Sequence, residues 1–505
     1  SNQVNFVDEV NILSSSGKYG KGYVSGNKIV DKQDWFFSCH FWCDPVMPGS
    51  LGVESMFECI EYWSISQGLT KGFKCASFAH GTGETKWKYR GQLTPRNDRM
   101  DNEVHIKSVT KNADGSIDVV ADGGLYVDHL RVYDCVDLRL RIEESSVAFI
   151  SINASTSEPQ SSTTTSNTKM VNRPQPPAKF MYHGGPKLGK ETLMTWHPLA
   201  GKNGNPTPGF QPTAFPPRAI AFVPFPGNPN DYNHEPGVLP LGWFNLMEFT
   251  ANRTSLCLGK EFARFDGSNT SRMPAFDLQL VTRVLTVEGM DMTPKNGIDC
   301  DPSKGTMTAE FDCPADAWFF QGSTSDDHMP YSIIMEIALQ VSGVLTSWLK
   351  APLTLDRDDL LFRNLDAKVT LVKDIDLRGK TIKNITTAQS YSMLGTMGVH
   401  SFHAELSVDG DVFYIVDTSF GWFLPEVFEK QTGLDNGVKR PCWHLEEGNG
   451  NKGMTTYNFR SKSDVARLFA GTSNHQVQRR SNQVNFVDEV NILSSSGKYG
   501  KGYVS

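Results

Sequence analysis

The sequence lacks a basic excess: 56 acidic side chains outnumber 49 basic ones, and the formal net charge is −7. Without an overall positive field to attract a phosphate backbone, nucleic acid is not an expected partner. It also lacks a CxxC pair. The nine cysteines, at positions 39, 43, 59, 75, 135, 257, 300, 313 and 442, are scattered, several of them in apolar runs. That scatter predicts reduced, buried thiols in a cytoplasmic protein rather than a disulfide framework. Cys39, His40 and Cys43 lie together, but no second ligand pair accompanies them, so neither a metal nor another cofactor is expected. No apolar run approaches the ~20 residues that a membrane span requires. With no initiating methionine and no signal peptide, the chain reads as a soluble excerpt of something longer.

What is present is repetition. Ser1 to Ser25 recurs unchanged as Ser481 to Ser505, an offset of 480 residues. Such identity points to a tandem array of near-identical modules or to an artificial junction, with residues 481–505 as the start of a next module. A weaker repeat lies inside that period. Lys21-Gly22, Trp35-Phe36-Phe37, Met47-Pro48 and Glu54 find counterparts in Lys304-Gly305, Trp318-Phe319-Phe320, Met329-Pro330 and Glu336. Two diverged copies of one domain are therefore expected, over residues 1–150 and 240–470. Between them, 151–186 is rich in Ser, Thr and Pro and cannot bury enough surface to offset its ordering entropy, so it reads as a linker. Residues 187–239 form a Pro/Gly-rich extension whose scattered phenylalanines suit a domain surface.

Each copy has one long helical segment among strand-like runs. In the first, Val53, Met56, Phe57, Ile60 and Trp63 recur at helical spacing beside a stripe of Glu54, Glu58 and Glu61, which predicts a half-exposed helix. In the second, Ser332 to Leu349 is apolar almost all round, as a helix wrapped by a sheet would be. Alternating runs follow each helix, such as Glu103-Val-His-Ile, Ile117-Asp-Val-Val, Leu130-Arg-Val-Tyr, Lys368-Val-Thr-Leu-Val and Val412-Phe-Tyr-Ile-Val. A central helix gripped by a curved antiparallel sheet is an α+β hot-dog, and two copies make a double hot-dog.

The chemistry concentrates at His40, which follows the strand-like Trp-Phe-Phe run and precedes a Pro/Gly turn, Asp44-Pro-Val-Met-Pro-Gly49, opening into the helix. Backbone N–H groups at a helix start have no intrahelical acceptor, and with the dipole they can hold an oxygen that gains negative charge. Gly49 would let a substrate approach that backbone. The second copy has Ser323 where the first has His40, although the Trp-Phe-Phe and Met-Pro framework persists. A histidine required only for packing would have stayed in both. On the apolar second helix, Glu336 and Gln340 are the long polar side chains before Lys350 and lie one turn apart. Desolvation there should raise the Glu336 pKa and keep it protonated, as a general acid must be. Bonding of a merely structural Glu336 to Gln340 or backbone is the alternative.

The segment WFFSCHFWCDPVMPGSLGVESMFE resembles the active-site segment of the bacterial β-hydroxydecanoyl thioester dehydratase family, and the whole period resembles dehydratase domains of polyunsaturated fatty acid synthases. The resemblance is strong over residues 1 to 145 and extends in framework over 240 to 440. It implies a catalytic histidine at His40, an oxyanion N–H at Gly49, and a helix acid, commonly Asp, at the position of Glu54. It also implies that each site is shared, with the histidine from one hot-dog and the acid from the other. Applied to unequal copies, this gives one working site, His40 with Glu336 and Gln340 as substrate-binding neighbour, and one degenerate site, Ser323 with Glu54. Glu58 and Glu61 would make the latter more hydrated.

The implied reaction is dehydration of a 3-hydroxyacyl thioester carried on the phosphopantetheine of an acyl carrier protein, beside other synthase domains, with double-bond isomerisation left open. A hot-dog thioesterase and a non-catalytic acyl-binding module are the alternatives. His328 aligns with Val46 rather than His40 and reads as surface or structural. Lys86, Lys88, Arg90, Arg96 and Arg99 could greet an acidic carrier protein, although a solvated strand face is the simpler reading. Phe36, Phe37, Phe41 and Trp42 could line an acyl tunnel or belong to the core. Within one chain, residues 1–150 could dock on 240–470; in an array, each could pair with a neighbouring module instead.

Overall fold

A computed structural model describes residues 6–41, 44–145, 235–268, 270–275, 278–315, 317–320, 328–395, 397–446 and 453–470. The linker 151–186, most of the 187–239 extension, Trp42, Ser323 and the duplicate 481–505 lie outside the described residues.

The first half runs β1 (Glu9–Leu13), β2 (Tyr23–Ile29), α1 (Gly49–Ser66), β3 (Ala76–His80), β4 (Gly83–Tyr89), β5 (Arg99–Lys111), β6 (Ile117–Val127) and β7 (Leu130–Glu144). The second opens with α2 (Trp243–Thr250) and α3 (Thr254–Leu258), followed by a 3-10 turn at Lys260–Phe265. It then repeats the plan: β8 (Arg283–Glu288), β9 (Gly305–Asp312), α4 (Tyr331–Trp348), β10 (Leu361–Leu371), β11 (Thr381–Leu394), β12 (Met397–Val408) and β13 (Asp411–Phe423). The chain continues through α5 (Pro425–Glu429), β14 (Thr455–Asn458) and α6 (Lys462–Leu468).

All these strands join one antiparallel sheet in the order β14-β1-β2-β5-β6-β7-β4-β10-β13-β12-β11-β9-β8, with β3 beside β7. The order within the first half, β1-β2-β5-β6-β7-β4, reappears as β8-β9-β11-β12-β13-β10 in the second. Two hot-dogs thus share a single sheet, related by a pseudo-twofold axis between β4 and β10. The seam pairs Lys88 with Asp366 through Gly83 with Leu371. Trp35 and Trp318, equivalent residues of the two copies, touch with ring centroids 5.2 Å apart. Equivalent side chains in contact mark the axis. The two 18-residue helices α1 and α4 pack against each other inside the curve of the sheet.

Period-two patterning builds the strands. In β9, GTMTAEFD, burial alternates residue by residue, with Met307, Ala309 and Phe311 inward. The Trp-Phe-Phe run is not a strand, however, but a 3-10 turn over Trp35–Ser38. Phe36 and Phe37 are both buried, and a strand would send consecutive side chains to opposite faces.

Nor is α1 half exposed: every residue from Ser50 to Ile65 is buried. Its stripe of glutamates faces protein backbone instead of water. Glu58 accepts the Phe6 N–H at 2.9 and 3.1 Å, Glu54 accepts the Ser332 N–H at 2.9 Å, and Glu61 is also buried. The hydrated setting expected around Glu54 is therefore absent, because buried carboxylates are tolerated where backbone donors meet them. The helix ends in a Schellman turn. Gly68 takes φ +71°, and Leu69 N–H reaches Ser64 O at 3.1 Å.

The tail does not stay with the second hot-dog. β14 pairs with β1, Glu9 opposite Asn458, and Phe459 packs on Tyr62 with centroids 4.5 Å apart. The stretch expected to close the 240–470 unit thus returns to the first half and covers the edge that β1 would otherwise leave open.

Trp87 anchors the seam. It lies on β4 opposite Ala367, is 1% exposed, and donates its indole N–H to Asn364 Oδ1 at 3.1 Å. Trp87→Ala should cost about 3–5 kcal/mol of stability, measured by equilibrium denaturation in urea. A loss below about 1 kcal/mol would mean that the seam is not held there.

Candidate active site

His40 sits in a loop that closes on itself. Its N–H reaches Phe36 O at 2.9 Å, Val46 N–H reaches His40 O at 2.9 Å, and Phe41 and Asp44 exchange backbone bonds at 3.0 and 3.1 Å. The imidazole Nδ1 lies 2.9 Å from Val46 O. A carbonyl only accepts, so Nδ1 carries the proton and Nε2 is left with the lone pair. Burial lowers the imidazole pKa from 6.5 to about 3, with the nearby Arg363 charge adding to the drop and the Val46 bond opposing it. The ring is neutral at any ordinary pH.

From the other half, Glu336 on α4 reaches the start of α1. Ser50 Oγ donates to Glu336 Oε1 at 2.6 Å, and Gln340 Nε2 donates to Oε2 at 3.0 Å. Burial raises the Glu336 pKa above 4.5, against the lowering effect of those two bonds. The structure therefore contains both the bond to Gln340 that a structural glutamate would make and the raised pKa that a general acid needs. Gln340 itself has little left to offer a substrate. Its Oε1 accepts Leu280 N–H at 2.9 Å and its Nε2 also donates to Leu278 O at 2.8 Å. The amide expected to bind substrate is committed to orienting Glu336.

A cavity of about 550 Å³ lies between the halves, lined by His40, Gly49 and Ser50 from the first and by Leu339, Glu336 and Phe362 from the second. Phe41 lines it as well, whereas Phe36 and Phe37 belong to the core. Gly49 is the first residue of α1, so its N–H belongs to the turn without intrahelical acceptors. A Cβ at Gly49 would come within 2.5 Å of the Tyr89 ring. A neutral imidazole, a desolvated carboxyl with a raised pKa and a helix N-terminus thus face one largely apolar cavity. That set can remove a proton, deliver another, and hold a developing oxyanion.

The pseudo-symmetric location is built differently. Tyr331 stands where the first copy has Gly49, and its ring packs on Phe57 and His80 at 5.0 and 5.2 Å. His80 Nε2 lies 2.9 Å from Met329 O. Glu54 occupies the Ser332 N–H, one of the helix-start donors of α4. Aromatic rings fill the space and a carboxylate takes a donor that an oxyanion would need. His328 Nδ1 lies 3.0 Å from Asp374 Oδ2, away from the cavity lining. Lys86 and Lys88 lie on the solvated face of β4, and Arg90 donates to Leu365 O at the cavity mouth.

Sequence reasoning missed Ser50, Tyr331, and the ion cluster of Asp44, Arg272 and Arg363 beside the His40 loop. The replacement of Gly49 by Tyr331 was readable from the repeat alignment. The reach of Ser50 across the helix pair was not, since it depends on how α1 and α4 cross.

Among known proteins, residues 1–136 match the model of the FabA-like domain. The chain is 43% identical over 531 aligned residues to a polyunsaturated fatty acid synthase polypeptide of Thraustochytrium sp., covering 97% of this chain and 35% of that protein. The chain thus spans about a third of that curated relative. Similar solved structures include the dehydratase domain from the terminal module of the rifamycin polyketide synthase, 10% identical, TM-score 0.30, covering 79% of this chain and 90% of that one. Another is an acyl-CoA thioesterase II from Mycobacterium marinum, 8% identical, TM-score 0.30, covering 75% and 91%.

Gly49→Ala should lower stability by about 1–3 kcal/mol through overpacking against Tyr89, read as a fall in Tm. An unchanged Tm would mean that the helix start is not closed in as described.

Proposed function

We propose that the chain is a 3-hydroxyacyl thioester dehydratase of fatty acid synthesis, acting in the cytoplasm on substrates carried by an acyl carrier protein, with one working site built from both halves. The observation that carries this reading is the single cavity onto which His40 and Glu336 open from different hot-dogs. The FabA-like match of the His40-bearing half supports the same class of chemistry.

In this mechanism Nε2 of neutral His40 takes a proton from C2 of the thioester. The carbonyl oxygen gains charge beside the α1 N-terminus, where Gly49 N–H stabilises it. The Glu336 carboxyl gives its proton to the C3 hydroxyl, which leaves as water, and the C2 electron pair closes the double bond. Ser50 and Gln340 hold the carboxyl in place. A hydrolase would instead need an ionised carboxylate to activate water, and burial drives Glu336 the other way. Glu54 belongs to the filled, degenerate location and takes no part. Tandem modules and other synthase domains would supply the carrier-bound substrate.

Incubation with a 3-hydroxyacyl pantetheine thioester should yield enoyl thioester; free thiol without enoyl product would overturn the reading. His40→Asn and Glu336→Gln should each lower kcat by about 10²–10⁴-fold, whereas Glu54→Gln should leave turnover close to that of the parent in whatever fraction folds.

The pH profile follows from the two shifts. His40 must be neutral, and with its pKa lowered to about 3 it stays so across the working range. Glu336 must be protonated, so activity falls as pH rises through its raised pKa. The profile of kcat/KM should show no acidic limb near the ordinary imidazole value and a descending limb that Glu336→Gln abolishes. An acidic limb near about 6.5 would contradict the buried, neutral base.

A further inference from the structure

The loop that carries His40 is bonded internally, so its position relative to Glu336 depends on what ties it to the other half. Three ties exist. Ala275 N–H donates to Cys39 O at 2.8 Å. Arg363 of β10 donates to Asp44 Oδ2 at 2.7 Å, and Arg272 approaches the same oxygen at 3.5 Å. Both guanidinium groups also lie over the Phe41 ring, at 5.5 and 5.7 Å.

Arg272 lies between the Lys260–Phe265 turn and β8. Its side chain is 4% exposed, and it is fixed from behind by bonds to Asn252 Oδ1 at 2.7 Å and Ser268 O at 3.1 Å. Arg363 is likewise held, with bonds to Gln92 Oε1 and Phe362 O at 3.1 Å each. Burial would push the Asp44 carboxyl up, but Arg363 and Arg272 outweigh it and hold the group below its ordinary value. The pair of charges therefore persists in a desolvated setting, where such contacts are stiff.

We propose that Arg272 and Arg363 are positioning residues, clamping Asp44 and through it the His40 loop onto the half that carries Glu336. The α2–α3 segment then has a role: its Asn252 holds Arg272 at the site. Neither arginine moves a proton in the reaction. Each acts by fixing where the base stands, and small misplacements of a catalytic group cost rate rather than binding.

The inference rests on the dehydratase reading for its kinetic test, so an activity-independent readout accompanies it. In the full chain, Arg272→Met should lower kcat by roughly ten- to a hundredfold with a smaller change in KM. Asp44→Asn should do at least as much, and the double variant should be no worse than Asp44→Asn alone, since the Arg272 contact is already lost with the Asp44 charge. Hydrogen exchange across residues 36–47 should accelerate in each variant, whatever the enzyme's reaction. Folded Arg272→Met with unchanged loop exchange, or independent multiplication of the two kcat effects, would overturn the clamp. If Arg272→Met does not fold, Asp44→Asn, which keeps the side-chain shape, carries the same exchange and kcat tests. A parent chain that forms no enoyl product while the exchange result holds would sink the dehydratase reading and spare the clamp.

Discussion

The antiparallel pairing of β4 with β10 is the constraint on which the rest depends. It turns two hot-dogs into one sheet, and the curvature of that sheet brings α1 and α4 into contact with their N-termini pointing into opposite halves. Only because of that crossing can Ser50 of α1 reach Glu336 of α4, and Glu54 of α1 reach Ser332 of α4. Each helix start meets the other helix's carboxylate. The shared cavity and the opposed pKa shifts of His40 and Glu336 are consequences.

The two reciprocal contacts are not equivalent, and the difference separates an open site from a filled one. Around Glu336 the carboxyl is met by a hydroxyl and an amide rather than by a helix-start N–H of α1. Around Glu54 the carboxylate takes the backbone N–H itself. Tyr331 in place of Gly49 then fills the approach with a ring.

Much of this was legible in the sequence. The Trp-Phe-Phe and Met-Pro repeat revealed two copies, the helices and main strands followed from periodicity, and the isolation of Glu336 on an apolar helix announced a desolvated carboxyl. Periodicity misled at α1, where glutamates three and four residues apart imitate a solvated face although backbone donors from Phe6 and Ser332 bury them. The return of β14 to β1 and the clamp on Asp44 were beyond reach. Both join residues more than 200 positions apart through elements whose local pattern carries no hint of the partner.

The central claim is that His40 and Glu336 of one chain serve one cavity. Co-expression of two full-length inactive chains, one carrying His40→Asn and the other Glu336→Gln, tests it most directly. If the site forms within a chain, the mixture makes no more enoyl product than either variant alone. Recovery of activity in the mixture would show that the halves pair between chains, and would contradict the account.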